Sequence, residues 1–363
     1  MTCCSNWLLR LALCHGIFVG FTTIYIDIDR RLVKSYTSVK IFVYFKNLLY
    51  AFVMICYLMD SFDLGSFDND SPVISFAFIA THASRSLLFV VVIMLRIKGD
   101  KALKKWLKIL LVLQTEYFDK LPDTSVDKNI KNVLTLNIIL VSANILGTTI
   151  SLVPALIKGD FWSLMDVYLQ SYLMDMQHYI MLHHGFILCY LNNLFSKLNN
   201  QLHSKRVEPC LASIYFQLTM LLQQVNVIYG PAIFTILLCL LLTISIFGYG
   251  IIIFMNLINY EIFIYQYLLT CSAMILLCID MYLYFLICDR VYETSRETQR
   301  ILLEFSTGQK NQEVESVCLG RLLLRHNINI CGMFNVDLSS LFAMIAQIIL
   351  YTIILIQIDY TKI

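Results

Sequence analysis

Charge is what this sequence most lacks. Only 14% of its 363 residues are Asp, Glu, Lys or Arg, and 58% are hydrophobic. A soluble domain carries about 25% charged residues. A soluble globular protein and a disordered tail are therefore both excluded. Proline is also scarce, at five residues. Pro72 and Pro231 stand where apolar runs begin, Pro154 where one ends, and Pro122 and Pro209 in polar stretches. Proline breaks the interior of a helix, so all five are expected at helix ends or in loops. Cysteine is plentiful, with 12 residues, but there is no C-x-x-C pair and no Cys/His spacing that suits a metal. Most of the cysteines sit in apolar runs and read as small buried hydrophobes. A net charge of +2 gives no reason to expect a nucleic-acid partner. The chain also lacks a P-loop, a G-x-S-x-G, an H-E-x-x-H and paired intramembrane carboxylates, so neither an enzyme nor a cofactor is expected. No internal repeat supports an inverted-repeat transporter.

What is present is a series of long apolar runs. A membrane span needs about 20 such residues to cross about 30 Å of hydrocarbon. Seven runs qualify: Ile41–Met59, Pro72–Leu95, Val133–Val153, Ser171–Leu191, Pro231–Phe254, Gln266–Cys288 and Leu338–Ile358. The expected fold is an all-α, polytopic seven-transmembrane helix bundle in a single unit, 1–363. Residues 1–40 would precede the first helix, 41–330 would hold helices one to six and their loops, and 331–363 the last helix. Leu11–Ile26 is apolar as well, but His15 interrupts it, Arg10 precedes it, and no small-x-small cleavage site follows. It reads as a membrane-surface or re-entrant helix, with an eighth span as the rival.

The cations settle an expected orientation. Of the 27 Lys and Arg residues, 22 fall on one set of alternate connections and only Lys158 and Lys362 on the other. The positive-inside rule then places the N-terminus in the cytoplasm and the C-terminus outside, in a multi-pass membrane protein. The first outer loop carries Asp60, Asp63, Asp68 and Asp70, and the sequon Asn69-Asp70-Ser71 makes Asn69 a glycosylation candidate. Seven spans also suit a G-protein-coupled receptor, but such receptors have the opposite orientation. The tetrapeptide Asp289-Arg290-Val291-Tyr292 looks like their acidic-Arg-aromatic switch, yet it ends the sixth run rather than the third. Charges at a cytoplasmic helix end account for it.

Tyr351, five residues and then Gln357 close the last run. This is similar to the Thr-Tyr-(five apolar)-Gln-Phe motif of insect gustatory receptors, with Leu350 and Ile358 at the two positions that depart from it. Upstream, Gly332-Met333-Phe334-Asn335-Val336-Asp337 resembles that family's Gly-x-Phe-x-Val-Asp entry to the last helix. The stretch around Gly20–Lys34 resembles the family's opening segment more weakly. The resemblance implies a taste receptor that is a ligand-gated cation channel, opened by a small-molecule tastant. It implies a homo- or hetero-tetramer of related subunits in the lipid bilayer, a pore lined by the last helix, a cytoplasmic anchor and an outer ligand pocket. Gln347, Leu350, Tyr351, Ile354, Gln357 and Ile358 are the pore-lining candidates. A G-protein-coupled receptor or a small-solute transporter is the alternative.

The residues support parts of this independently. Ser340, Ala343, Gln347, Leu350, Ile354 and Gln357 fall on one stripe of the last helix. Such a stripe faces either a partner helix or water. Leu350 and Ile354 would form a dewetting gate, and Asp359 just outside would bias entry toward cations. Arg85 and Asp280 lie deep in spans two and six, at similar depths, and each needs a partner or water. They are expected to pair or to face one wet cavity. His178, His183 and His184 fall on different faces of span four, which argues against a metal site. Arg85, Tyr168, Tyr172 and Tyr179 are candidate ligand contacts, since aromatic walls with sparse polar groups suit small organic molecules. Lys98, Lys101, Lys104, Lys105 and Lys108, with Leu103, Trp106, Leu107 and Leu110 between them, form a basic amphipathic pattern. It is expected on the anionic leaflet, with a calmodulin-like partner as the lesser reading. Arg290–Glu304 reads as a helix of mixed charge in a cytoplasmic bundle.

Overall fold

The computed structural model describes residues 10, 13–18, 22–27, 32–63, 72–120, 128–158, 161–204, 209–257, 263–308, 329–330 and 334–360. Seven long helices carry the described chain: α1 Thr37–Asp63, α2 Pro72–Glu116, α3 Lys128–Lys158, α4 Phe161–Ser204, α5 Pro209–Leu257, α6 Phe263–Gly308 and α7 Leu338–Tyr360. All seven expected runs fall inside them. Two short antiparallel hairpins accompany the helices. β1 Ile24–Asp27 pairs with β2 Leu32–Ser35, and β3 Asn329–Ile330 pairs with β4 Phe334–Asn335. Two described stretches, Leu211–Ile252 and Leu338–Ile358, pass as membrane spans on length and apolarity alone. The bent pair Ile79–Leu95 and Lys98–Lys120, whose halves meet at 48°, makes a third.

Helix length is the main surprise. α4, α5 and α6 have 44, 49 and 46 residues. At 1.5 Å per residue each is roughly twice as long as a 30 Å hydrocarbon layer is thick. The excess is amphipathic rather than apolar, so hydropathy alone does not register it. Its inward face is packed: Tyr215 of α5 meets Phe195 of α4 edge-on, with ring centroids 6.1 Å apart. Its hydroxyl donates to the Ser295 carbonyl of α6 at 3.4 Å. Asn199 Nδ2 of α4 donates to the Thr294 carbonyl at 3.2 Å. Arg290–Glu304, expected as a helix, is the continuation of α6, with Val291, Ser295, Thr298 and Leu302 on its buried face and the charged residues outside.

Three expectations are corrected here. Pro231 does not begin a helix; it lies within α5, which starts at Pro209. The apolar run starts at Pro231, but the amphipathic turns before it are helical too. Pro154 likewise lies within α3, not at its end. The basic stretch does not offer its apolar face to a lipid surface. Leu103, Trp106, Leu107 and Leu110 are buried against the rest of the bundle, and the Trp106 indole N–H donates to the Leu221 carbonyl of α5 at 2.8 Å. Lys98, Lys101, Lys105 and Lys108 point outward. The stripe that a bilayer would bury is taken by α5, the principal neighbour of α2. In the Leu11–Ile26 run, expected as a membrane-surface or re-entrant helix, residues 13–18 are helical and Ile24–Asp27 is a strand, so the run is not one continuous helix.

Candidate functional site: the last helix and the polar seam behind it

α7 is built by its entry. The β3–β4 hairpin turns the chain, and Asp337 then caps the helix: its carboxylate accepts the Ser340 N–H at 2.8 Å, and its carbonyl accepts the Leu341 N–H at 3.1 Å. The described part of the Gly-x-Phe-x-Val-Asp segment, Phe334–Asp337, is thus the second strand of a hairpin followed by an N-cap. Leu341 and Ile348 form the buried face of α7, and Val336 just before it is buried as well. Thr352 locks this face to α5: its hydroxyl lies 2.9 Å from the Ile348 carbonyl and 3.3 Å from the Ser245 carbonyl. Opposite stands Gly248, where an added Cβ would lie 3.2 Å from the Thr352 hydroxyl. Small residues on both helices let the backbones approach, as in other membrane helix pairs.

The rest of α7 faces outward. Gln347, Leu350, Tyr351, Ile354, Gln357 and Ile358 are all exposed, together with Phe342, Ile345, Ile349 and Ile353. The expected polar stripe divides. Its lower part, Ser340, Ala343 and Gln347, borders a cleft of about 310 Å³ with Phe234, Leu237, Leu238 and Leu241 of α5 and Phe285 of α6. Its upper part, Leu350, Ile354 and Gln357, is not on this cleft. The side chain of Asp359 lies outside the described residues.

Behind α7 runs a polar seam between α4 and α6. Asp280 is fully buried and bonds His178 through Oδ2, 2.5 Å from Nδ1. The expected Arg85–Asp280 pair is not formed. α6 packs chiefly against α4 and α3, whereas α2, which carries Arg85, packs chiefly against α5. A histidine on the adjacent helix therefore reaches the carboxylate. Four residues further along α6, the Tyr284 hydroxyl lies 2.7 Å from His184 Nδ1. The His184 ring stacks on Tyr229 of α5, with centroids 5.0 Å apart. The three histidines do diverge: His178 faces Asp280, His184 faces Tyr284, and His183 meets His15 and Tyr229. No group of three His, Cys, Asp or Glu side chains suits a metal ion among the described residues.

The remaining candidates separate. Arg85 is half-buried on α2, beside Ser84, whose carbonyl accepts the Cys239 thiol of α5 at 3.2 Å. Tyr179 stands edge-on to His15, with centroids 5.5 Å apart, and so lies against the N-terminal segment. The side chains of Tyr168 and Tyr172, and Asn69 entirely, lie outside the described residues. Arg290 pairs with Glu293 at 3.1 Å on an exposed surface. Partial burial, then the nearby carboxylates of Glu293 and Asp337, push the Asp289 carboxyl above its ordinary range. A local cluster of charges thus accounts for the Asp289–Tyr292 tetrapeptide.

Comparison with known proteins now bears on this geometry. The sequence model described as 7tm chemosensory receptor matches residues 8–362. The chain belongs to that family. It is a receptor and not an enzyme. A search among curated proteins finds no match. Two solved structures have the same fold: the insect olfactory receptor OR5 from Machilis hrabei in complex with eugenol, and OR5 from Machilis hrabei. The first is 13% identical with a TM-score of 0.67, and the second 14% identical with a TM-score of 0.63. Each alignment covers 98% of both chains. The seven-helix bundle of this receptor is therefore the architecture of those receptors.

Sequence reasoning missed Thr352, Ser245 and Gly248, which join α7 to α5. A Gly and a Ser in an apolar helix, opposite a Thr in another, are a weak signal that only the pairing of the helices completes. Asp100 was missed for a different reason: it is a lone acid within a lysine-rich run, and its partners are nearly 80 residues away.

Proposed function

We propose that this receptor is a subunit of a ligand-gated cation channel of the plasma membrane, opened by a small-molecule tastant. The exposed surface of α7 carries the proposal. α7 is packed on its own chain by one face only, and its exposed face carries Gln357, a polar side chain that lipid does not satisfy. Copies of the chain around a common axis would place Leu350, Ile354 and Gln357 toward water and the apolar flanks toward neighbours. Gln347, Tyr351 and Ile358 complete the proposed lining, and Leu350 with Ile354 the gate. A tetramer, of this chain or with related subunits, is the proposed assembly.

The gustatory reading draws on Tyr351-x5-Gln357 and on the Asp337 entry hairpin. An olfactory reading draws on the fold shared with the Machilis hrabei receptors. Ligands would bind among the outer ends of the earlier helices, with Arg85, Tyr168, Tyr172 and Tyr179 the first residues to test. The N-terminus is proposed inside and the C-terminus outside, from the cation count.

Two experiments test this. An epitope placed after Ile363 should stain intact cells; staining only after permeabilisation would reverse the orientation. In voltage-clamped cells a tastant panel should open a cation current that survives G-protein blockade. Loss of the current under blockade would favour the G-protein-coupled reading, and a current that follows the substrate gradient to saturation would favour a transporter. Response to volatile rather than contact stimuli would make the receptor olfactory.

A further inference from the structure

The described residues between His15 and Ser35 (15–18, 22–27 and 32–35) form a strap folded against the helix bundle, and it is held at two places. One is Asp100 of α2. Its Oδ1 accepts the Thr22 hydroxyl at 2.9 Å and the Thr23 N–H at 3.2 Å, and its Oδ2 accepts the Thr23 hydroxyl. The Thr22 hydroxyl also accepts the Ile24 N–H at 3.1 Å, and the Thr22 N–H donates to the Gly16 carbonyl at 3.3 Å. A single carboxylate thus fixes the bend between the short helix and β1.

The other holding point is His15. Its ring sits among Tyr179, Phe186 and His183 of α4, with centroid distances of 5.5, 6.1 and 6.1 Å. Neither of its ring nitrogens has a hydrogen-bond partner. Gly16 makes this contact close: an added Cβ would lie 2.8 Å from the His183 ring and 2.9 Å from Thr22. Tyr229, which meets His183, is two residues before Pro231, where the apolar run of α5 begins. The holding point thus lies against the Ser171–Leu191 run of α4, close to where the apolar run of α5 begins.

We propose that this strap is a proton-released latch, docked while His15 is neutral and freed when His15 takes up a proton. Among the described residues, the ionisable side chains against the ring are Tyr179 and His183 of α4; His183 in turn meets Tyr229 of α5, and Lys46 of α1 donates to the Phe18 carbonyl of the strap at 2.9 Å. Asp100, the carboxylate of the other holding point, is engaged by Thr22 and Thr23. A histidinium at this position would carry a buried charge next to a second imidazole, with no acceptor for either N–H.

Burial lowers the His15 pKa from 6.5 to about 4. The docked state thus has the depressed value. Docking is at full strength above pH 6.5 and is lost as pH falls from there toward 4. Linkage makes docking about fourfold weaker at pH 6.0 and roughly tenfold weaker at pH 5.5. Release by cytosolic acid rests on the orientation proposed above; release by protons does not.

Amide hydrogen exchange on the full-length receptor in nanodiscs tests this, at pH 7.4 and 6.0, corrected for intrinsic rates. In the wild type the opening equilibrium of residues 13–35 should rise about fourfold at the lower pH, while the α4–α6 core stays unchanged. His15→Phe keeps an aromatic ring and cannot titrate, so its strap should be protected equally at both pH values. Gly16→Val should open the strap at both. A wild-type strap with no pH response, or a pH response retained by His15→Phe, would overturn the proposal.

Discussion

α5 and α7 are both dominated by aliphatic side chains, yet they occupy opposite surroundings. Half of the most apolar stretch of α5 is buried within the chain, against 11% of that of α7. α5 contacts α2, α4 and α7 along its length, while α7 rests on α5 and α6 by one face. In a bilayer, lipid satisfies an aliphatic side chain as well as a neighbouring helix does, so apolarity does not decide which helix is central. The decisive residues are the few small and polar ones. α5 has Ser245, Gly248 and Cys239 at its helix contacts, and it receives an indole hydrogen bond from Trp106. α7 has Thr352 on its packed side and Gln347 and Gln357 on its open side.

The contrast predicts unequal costs of mutation. Trp106→Ala removes a fully buried ring and its bond to Leu221, and should cost about 3–5 kcal/mol in unfolding of the purified receptor. Ile349→Ala, on the open face of α7, should change protomer stability by no more than about 0.5 kcal/mol. Equal losses at both positions would erase the distinction. Asp280→Ala leaves the buried His178 without its bond and should cost about 1–3 kcal/mol. Exchanging Arg85 and Asp280 should not restore that loss, because the partner is His178. Gly248→Val should cost about 1–3 kcal/mol by forcing α7 away from α5, read as lower thermal stability and altered gating. Asp337→Ala removes the cap of α7 and should cost about 1 kcal/mol, measured as a small drop in the unfolding midpoint.

The seven helices were legible in the sequence because each contains one long apolar run. Their true lengths were not, because the extensions of α4, α5 and α6 bury one face against each other. Such segments resemble any soluble amphipathic helix. For the same reason Leu103, Trp106, Leu107 and Leu110 fitted a membrane surface as well as they fit α5. Asp280 was recognised as needing a partner, but depth along two separate runs could not choose between Arg85 and His178. That choice depends on which helices are neighbours. The Asp337 entry was visible as a motif, and its physical role as a cap after a hairpin became clear only with the β3–β4 pairing. Pro231 misled because proline is easier to tolerate within a helix when the surrounding bundle holds the backbone.

The central claim is that the open face of α7 lines a water-filled pore. Cysteine substitution along α7, followed by a charged thiol reagent during ligand-evoked current, measures this directly. Cysteines at Leu350, Ile354 and Gln357 should be modified and reduce the current, while those at Ile345, Ile349 and Ile353 should stay silent. Modification at Ile345, Ile349 and Ile353 with no effect at Leu350, Ile354 and Gln357 would contradict it.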